Sequence, residues 1–134
     1  MYGLSIVVPQ FAFPLPFKNT FTIIIFLFGL LIGASGVISF HRRETTVNPT
    51  RPSTASSLVA SGVYRFSRNP MYLGLLLALV ALGVYLTNPP SLLLVATAFV
   101  LYMNRYQIAP EEQALQRLFG EDFTAYTNTV RRWL

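Results

Sequence analysis

Residues 71–106 read MYLGLLLALVALGVYLTNPPSLLLVATAFVLYMNRY, two long apolar runs joined by a double proline. A helix cannot continue through Pro89-Pro90, because proline lacks the amide donor and its ring clashes with the preceding turn. The stretch therefore predicts a helical hairpin with arms over residues 71–86 and 91–106. Each arm is slightly short for a hydrocarbon core of roughly 30 Å, so we expect local bilayer thinning or a snorkelling Arg105.

A further apolar run precedes the hairpin. Residues 20–40 carry no charge and are long enough for a helix to cross a bilayer. The 134-residue chain is 53% hydrophobic and only 11% charged, against about 25% charged in an average soluble protein. A soluble helical core would leave too few polar side chains to cover so small a protein. A cleaved signal peptide is not expected, since this apolar run lacks a basic front and is too long.

We therefore predict one all-α integral membrane domain over residues 1–134. It consists of a long transmembrane helix at residues 20–40, a transmembrane hairpin and a cytoplasmic C-terminal helical segment. Residues 1–19 are apolar but broken by prolines, and they are either interfacial or a partial span.

Basic side chains are concentrated on two sides of the hairpin, whereas its turn at residues 87–90 has no charge. Under the positive-inside rule, both basic segments face the cytoplasm. The connector at residues 41–70 and the helices at residues 107–134 are thus predicted to be cytoplasmic. The basic residues concerned are His41, Arg42, Arg43, Arg51, Arg65 and Arg68 before the hairpin, and Arg105, Arg117, Arg131 and Arg132 from its end onwards.

Composition also limits the chemistry. The net charge of +5 follows from this orientation and from attraction to anionic lipid headgroups, so no nucleic-acid partner is expected. The absence of cysteine excludes disulfides, thiolate metal sites and cysteine nucleophiles. His41 is the only histidine, and no Walker, HExxH or multi-histidine pattern occurs, so no metal site is predicted.

Small residues recur one helical turn apart in two of the predicted helices. Gly29 and Gly33 form one such pair, and Gly74 and Ala78 form another. Small residues at this spacing let helix backbones approach closely in lipid. We expect these faces to pack against other helices, and they could also mediate a homo-oligomer.

The tail is predicted to form two short helices. Pro110 is well placed as the first helical residue of one, and Gly120 is well placed to end it. In the next helix Phe123, Tyr126, Val130 and Trp133 share one face, which is typical of an amphipathic helix lying at the membrane interface.

Polar and aromatic residues meet where the connector reaches the hairpin. The segment Gly62-Val63-Tyr64-Arg65-Phe66-Ser67-Arg68-Asn69-Pro70-Met71-Tyr72 precedes the first arm, and Glu111-Glu112 follows the second. Each of these residue types also has a purely structural interpretation. The arginines could extend to the lipid headgroups, the tyrosines could belong to the aromatic belt at the membrane interface, and the glutamates could cap a helix. Because antiparallel arms bring both ends together, we expect Arg68 and the glutamates on opposite walls of one cavity, which would bind a polar cofactor facing a lipid-embedded substrate.

These residues resemble a known signature. Gly62-x-Tyr64-x-x-x-Arg68-Asn69-Pro70-x-Tyr72 resembles the Gly-x-Tyr-x-x-x-Arg-His-Pro-x-Tyr motif of the isoprenylcysteine carboxyl methyltransferase and phospholipid methyltransferase superfamily. The tail from Glu111-Glu112 to Arg131-Arg132 looks like the C-terminal signature of that family. Two departures stand out: Asn69 replaces a frequent histidine and cannot titrate, and the N-terminal part is shorter than the usual set of spans.

The resemblance implies an S-adenosylmethionine-dependent methyltransferase acting on a lipophilic acceptor, similar to isoprenylcysteine carboxyl O-methyltransferase, in a bacterial inner membrane with its cofactor site on the cytoplasmic side. Arg68 and Tyr72 would be catalytic. A non-catalytic membrane subunit and an NADPH-dependent enzyme similar to sterol reductases are the alternatives. The implied cofactor-binding residues are Gly62, Tyr64, Arg68, Asn69, Pro70, Tyr72, Tyr106, Glu111, Glu112 and Arg131.

Each part of the cofactor would need a particular kind of side chain. The ribose diol needs acceptors, which Glu111 or Glu112 could supply. Its carboxylate suits a bidentate cation, for which Arg68 or Arg131/Arg132 are candidates. The sulfonium is favoured against an aromatic face, and the implied rings are those of Tyr64, Tyr72 and Tyr106.

Overall fold

The structure, a computed structural model, describes residues 3, 6, 16–42, 60 and 62–134. All regular elements among these residues are helical, which confirms the all-α prediction. Most of the predicted N-terminal segment, residues 1–19, and of the connector, residues 41–70, falls outside the described residues.

The elements follow one another with short connections after the connector. In chain order they are α1 (Lys18–Arg42), a 3-10 turn (Gly62–Arg65), α2 (Pro70–Leu86), α3 (Pro89–Tyr102), a π-helical segment (Met103–Ile108), α4 (Ala109–Phe119) and α5 (Glu121–Thr129).

The chain folds back between α2 and α3 at two residues. Thr87 ends α2 in the left-handed region, with φ of 50° and ψ of 38°, and its amide donates to the Val84 carbonyl. Asn88 is extended and caps α3, since its side-chain oxygen accepts from both the amide and the hydroxyl of Ser91 at 3.1 and 2.9 Å. The two prolines that follow occupy the first turn of α3, where no intrahelical amide bond is needed. The double proline therefore starts the second helix as well as ending the first.

Helices α1 and α2 cross closely at their glycines. A Cβ added at Gly74 would lie 2.6 Å from the Gly29 carbonyl oxygen and 3.2 Å from the Cα of Gly33. A Cβ at Gly29 would lie 2.8 Å from the Cβ of Leu77. The small-residue faces are thus used within one chain, as expected for helices whose backbones are in contact. A homo-oligomer through these faces stays a prediction.

Within the part of the chain that the structure describes, two helices are long and apolar enough to cross a membrane: Lys18–Ser39 within α1, and the continuous helix Pro89–Phe119. In the 18-residue apolar stretch of each helix, only 11% of the residues in the first and 6% in the second are buried inside the protein. Their apolar side chains therefore face outward, an arrangement suited to lipid and unfavourable in water. On α1, for example, Ile23, Leu27 and Leu31 are exposed by 57%, 50% and 68%.

The second span does not end where the sequence indicates. We expected the arm to stop at residue 106 and a new helix to begin at Pro110, but α3 continues through the π-helical segment into α4. Pro110 has no amide hydrogen and would crowd the carbonyl four residues earlier in an α-helix. The wider π turn, in which the Ala109 amide donates to the Asn104 carbonyl, relieves this conflict without a break.

The apolar face of the last helix packs on protein rather than on a membrane surface, which corrects the prediction of an interfacial helix. Phe123, Tyr126 and Val130 form a buried cluster with Tyr64. Trp133 leaves this face because α5 ends at Thr129 and Val130 is extended, with φ of −125° and ψ of 128°. It packs instead against a second cluster formed by Tyr72, Met103 and Ile108.

Adding a methyl group at the α1–α2 crossing should be costly at one glycine and harmless at its neighbour. We expect Gly74→Ala to destabilise the fold by about 1–3 kcal/mol, because the new Cβ meets backbone that cannot move aside. Gly33→Ala is the matched control, since nothing lies within 4 Å of its added Cβ. Thermal unfolding in detergent measures both. Equal melting temperatures for the two variants would contradict the packing described here.

Candidate active site at the end of the hairpin

The 3-10 turn places Tyr64 beneath the site. Gly62 begins the turn with φ of +64°, and a Cβ there would lie 2.8 Å from the Ser39 hydroxyl oxygen, so only glycine fits. Tyr64 is 4% exposed, and its carbonyl accepts a hydrogen bond of 2.7 Å from the Tyr126 hydroxyl. This bond joins the turn to α5, which is far away along the chain.

Residues 130–133, hereafter the strap, cross the start of α2. The Arg68 amide donates to the Arg131 carbonyl at 3.1 Å, and the Asn69 side-chain amide donates to the Arg132 carbonyl at 2.9 Å. Asn69 occupies the N-cap position of α2 but makes no side-chain cap bond. Its side chain thus binds the strap, a role that needs a donor and no titration.

The side chains of Arg68 and Arg132 meet at Glu112. Arg132 binds the carboxylate through two bonds, of 3.1 Å to one oxygen and 2.7 Å to the other. Arg68 Nη1 lies 3.1 Å from the first of these oxygens. The side chains of Arg68 and Glu112 are only 14% and 20% exposed, so solvent screens this charge cluster less than a surface pair.

One donor of the cluster is left over. Arg68 Nε is buried and has no hydrogen-bond partner among the residues that the structure describes. Because a buried unsatisfied donor is costly, this nitrogen is the atom of the cluster best suited to a further anionic or polar partner.

Glu111 points to a different set of partners from its neighbour. Its Oε1 accepts hydrogen bonds from the Tyr72 hydroxyl and, at 2.9 Å, from the Gln107 side chain. Tyr72 is 7% exposed. Successive residues of a helix project about 100° apart, so the two glutamates leave the start of α4 in different directions. Glu111 and Glu112 therefore place their carboxylates in two different surroundings.

The strap is also anchored from the π-helical segment. The Trp133 indole donates to the Asn104 side-chain oxygen at 3.0 Å. The indole ring lies 6.3 Å from that of Phe99, in a tilted pair. These contacts hold the strap at the end next to Arg132.

The hydroxyl groups of Tyr64 and Tyr126 remain neutral at physiological pH. Burial raises the pKa of Tyr64 above its ordinary value, and the nearby charge of Glu111 adds to this. Burial also raises the pKa of Tyr126, although the positive charge of Arg68 opposes the shift. The hydrogen bond from Tyr126 to the Tyr64 carbonyl is therefore not lost by ionisation near neutral pH.

Most of the expected site residues come together at this end of the hairpin. The expectation that Arg68 and the glutamates line opposite walls of a cavity is wrong, because Arg68 and Glu112 are in direct contact. Two opposite charges attract each other strongly when little water screens them, and this attraction favours the contact. Tyr106 is 65% exposed and contacts Tyr102 and Arg105. The Arg131 side chain is exposed, and only its carbonyl takes part. The expected residues that meet here are Tyr64, Arg68, Asn69, Tyr72, Glu111 and Glu112, with Gly62 and Pro70 shaping the backbone.

Several residues that complete the site are not predicted from the sequence. Arg132 is a candidate for the cofactor carboxylate, but its pairing with Glu112 is not predicted, because that contact depends on the extended strap. Gln107 and Asn104 approach their partners only because the helix continues through the π segment. For Tyr126 the sequence does predict an apolar environment, since this residue lies on the apolar face of the last helix.

Comparison with known proteins identifies the family. Residues 17–122 match the model of the phospholipid methyltransferase family. The chain belongs to this family, and its resemblance to the superfamily that includes isoprenylcysteine methyltransferases is confirmed.

The chain is similar in sequence to plant and bacterial proteins. Protein-S-isoprenylcysteine O-methyltransferases A and B of Arabidopsis thaliana are 31% and 30% identical over 115 residues, which cover 84% of this chain and 56% of each relative. The chain thus spans about half the length of these plant proteins. An uncharacterized protein of Haemophilus influenzae is 45% identical over 64 residues, which cover 48% of this chain and all of that protein. No solved structure matches the chain significantly.

Removing the Asn104 acceptor should loosen the strap. Asn104→Ala leaves the Trp133 indole without its partner, a loss of about 1 kcal/mol. Since Trp133 is the single tryptophan of the chain, its fluorescence should shift to longer wavelength as water reaches the ring. Asn128→Ala, at an exposed position of α5, is the control and should leave the emission unchanged. Identical spectra for both variants would show that Asn104 does not anchor the strap.

Proposed function

We propose that the protein is an S-adenosylmethionine-dependent membrane methyltransferase that acts on a lipophilic acceptor, similar to isoprenylcysteine carboxyl O-methyltransferases. One observation carries the proposal. The two segments that resemble the family signatures, some 40 residues apart in sequence, meet in the cluster formed by Arg68, Glu112 and Arg132. Family membership and the names of the plant relatives support the same reaction class.

The proposed setting is the inner membrane of a bacterium, with the charge cluster on the cytoplasmic side. Outward-facing apolar side chains on both long helices support embedding in lipid. The charge distribution supports the orientation, because the arginines of the charge cluster and their described neighbours lie at one end, whereas the 87–90 turn has no charge and only Lys18 is described near it. An apolar acceptor would then reach the site from the bilayer and the polar cofactor from the cytoplasm.

The residues present fit S-adenosylmethionine. Its carboxylate would find a donor in Arg68 Nε, which no described residue occupies, while Glu112 keeps both guanidinium groups in place. The ribose hydroxyls would donate to Glu111 or Glu112, whose carboxylates each hold protein partners in this structure and would have to share or exchange them. The buried Tyr64 and Tyr72 would offer aromatic faces to the sulfonium. When bound, the cofactor supplies a methyl group on a positively charged sulfur.

The work left to this chain is binding, orientation and exclusion of water. Methyl transfer to a carboxylate needs no proton removal, so alignment of the two reactants can supply most of the rate. Few titratable groups are required, in agreement with the small charged content of the chain. Arg68 would orient the cofactor or the acceptor carboxylate, and the Tyr72 hydroxyl, fixed by its hydrogen bond to Glu111, would remain a neutral wall of the site.

One observation favours a non-catalytic role. Glu112 forms ion pairs with two arginines, and such a cluster would also serve only to hold the strap against the hairpin. A reductase that binds NADPH is the other alternative. Binding experiments separate these functions, because only the methyltransferase should bind S-adenosylmethionine.

We expect the purified protein in detergent to bind S-adenosylmethionine and not NADPH, as measured by isothermal titration calorimetry. Arg68→Gln and Glu112→Gln should weaken this binding at least about tenfold, since each loses a charge-assisted bond. Glutamine is preferred to alanine because it can still form hydrogen bonds. Truncation to alanine would leave the remaining charged side chain partly buried without a partner or water. Arg117→Gln, at an exposed position of α4, is the matched control and should bind normally.

Unchanged affinity in both cluster variants would contradict the site assignment. Binding of NADPH in place of S-adenosylmethionine would support the reductase, and binding of neither would support the non-catalytic role. Emission of Trp133 in each variant verifies that the strap is still folded onto the hairpin.

A further inference from the structure

Tyr102, Arg105 and Tyr106 form an exposed aromatic and basic group, hereafter the triad, at the end of the membrane-spanning part of α3. The two tyrosine rings lie 5.2 Å apart, and the Arg105 guanidinium lies 5.9 Å from the centre of the Tyr106 ring. Tyr102 and Tyr106 are 60% and 65% exposed, and Arg105 is exposed as well. The triad thus presents one cation and two hydroxyl groups to the surroundings.

The positive charge of Arg105 is not used inside the described part of the protein. The carboxylates of Glu111 and Glu112 are occupied by Tyr72, Gln107 and two other arginines. Arg105 makes no ion pair with any described carboxylate, and its contact with Tyr106 limits the number of orientations it can adopt. A pre-oriented guanidinium beside two hydroxyl donors is well suited to a phosphate group.

The position of the triad matches the edge of a bilayer. Arg105 follows Pro89 by 16 residues (105 minus 89), or roughly 24 Å at about 1.5 Å per residue. Most outward side chains between them are apolar, with Leu93 and Leu101 exposed by 72% and 63%. At the opposite end, Lys18 lies 5.1 Å from the centre of the Tyr85 ring. Two cation–aromatic contacts therefore bracket an apolar belt close to the thickness of a hydrocarbon core.

The triad also lies at the same end of the molecule as the candidate site. Asn104, within the triad segment, accepts the bond from Trp133 of the strap, and Glu111 on the next helix turn accepts from Tyr72. A ligand that fixes the depth of the triad would fix the depth of the charge cluster with it.

We propose that the triad binds the phosphate of an anionic phospholipid in the leaflet next to the candidate site. Arg105 pairs with the phosphate, the tyrosine hydroxyls donate to its oxygens, and the acyl chains follow the apolar face that contains Leu101. The bound lipid sets the height of the Arg68–Glu112–Arg132 cluster relative to the membrane surface. This proposal rests on the membrane embedding given under the proposed function and is independent of methyl transfer.

The test uses the full chain in a neutral detergent with added phosphatidylglycerol or phosphatidylcholine. Native mass spectrometry counts the retained lipid, and thermal unfolding measures stabilisation. We expect the wild-type protein to retain phosphatidylglycerol in preference to phosphatidylcholine and to melt at a higher temperature with it. In Arg105→Gln, the ratio of retained phosphatidylglycerol to phosphatidylcholine should fall at least about fivefold, since a neutral amide cannot form an ion pair with phosphate. Arg117→Gln should keep it.

Three results would overturn the proposal. The first is equal retention of phosphatidylglycerol by Arg105→Gln and the wild type. The second is an equal loss in Arg117→Gln, which would indicate a general effect of net charge. The third is equal stabilisation by inorganic phosphate at the same concentration, which would indicate a free anion site instead of a lipid site.

The same preparations separate this proposal from the proposed function. S-adenosylmethionine should bind Arg105→Gln as it binds the wild type, because the triad side chains do not contact the charge cluster. Failure of every preparation to bind S-adenosylmethionine would refute the methyltransferase, whereas the lipid comparison would stand or fall by its own result.

Discussion

Glu112 connects three parts of the chain through its two carboxylate oxygens. Arg132 brings the strap, Arg68 brings the start of α2, and Glu112 itself lies in the first turn of α4. Because the cluster is partly shielded from water, removing one charge would leave the others poorly compensated, at a cost larger than that of a surface pair. The arrangement of the whole polar end of the molecule depends on this contact.

The contact in turn depends on two backbone features. The fold-back at Thr87 and Asn88 makes the two arms antiparallel, so that the end of one lies beside the start of the other. The π-helical segment lets the second arm continue through Pro110 and carries Glu111 and Glu112 out to the level of Arg68. A π turn within a long helix is often found at functional sites, and here it separates the apolar span from the charged turn.

The molecule divides its tasks between an apolar frame and a polar end. Glycines bring α1 and α2 into backbone contact, which gives a narrow frame whose outer surface is apolar. Nearly all charge-assisted bonds among the described residues are found where the strap crosses the hairpin. For a group-transfer reaction that requires orientation more than proton transfer, such a division would be sufficient. The lipid site proposed at the triad would link the two parts by setting their common depth.

The sequence by itself determined the all-helical architecture, the fold-back at the double proline and the placement of Arg68 and the glutamate pair at one end of the hairpin. These follow from local physics: long apolar runs, the missing amide of proline and the spacing of small residues act over a few turns. Only the tertiary structure decided that Arg132 rather than Arg131 binds Glu112, that Asn69 holds the strap, and that Tyr106 faces outward. Each of these depends on the direction of a side chain across elements distant in sequence. A π turn or one extended residue, such as Val130, rotates every later side chain to a new face, and no local pattern records that rotation.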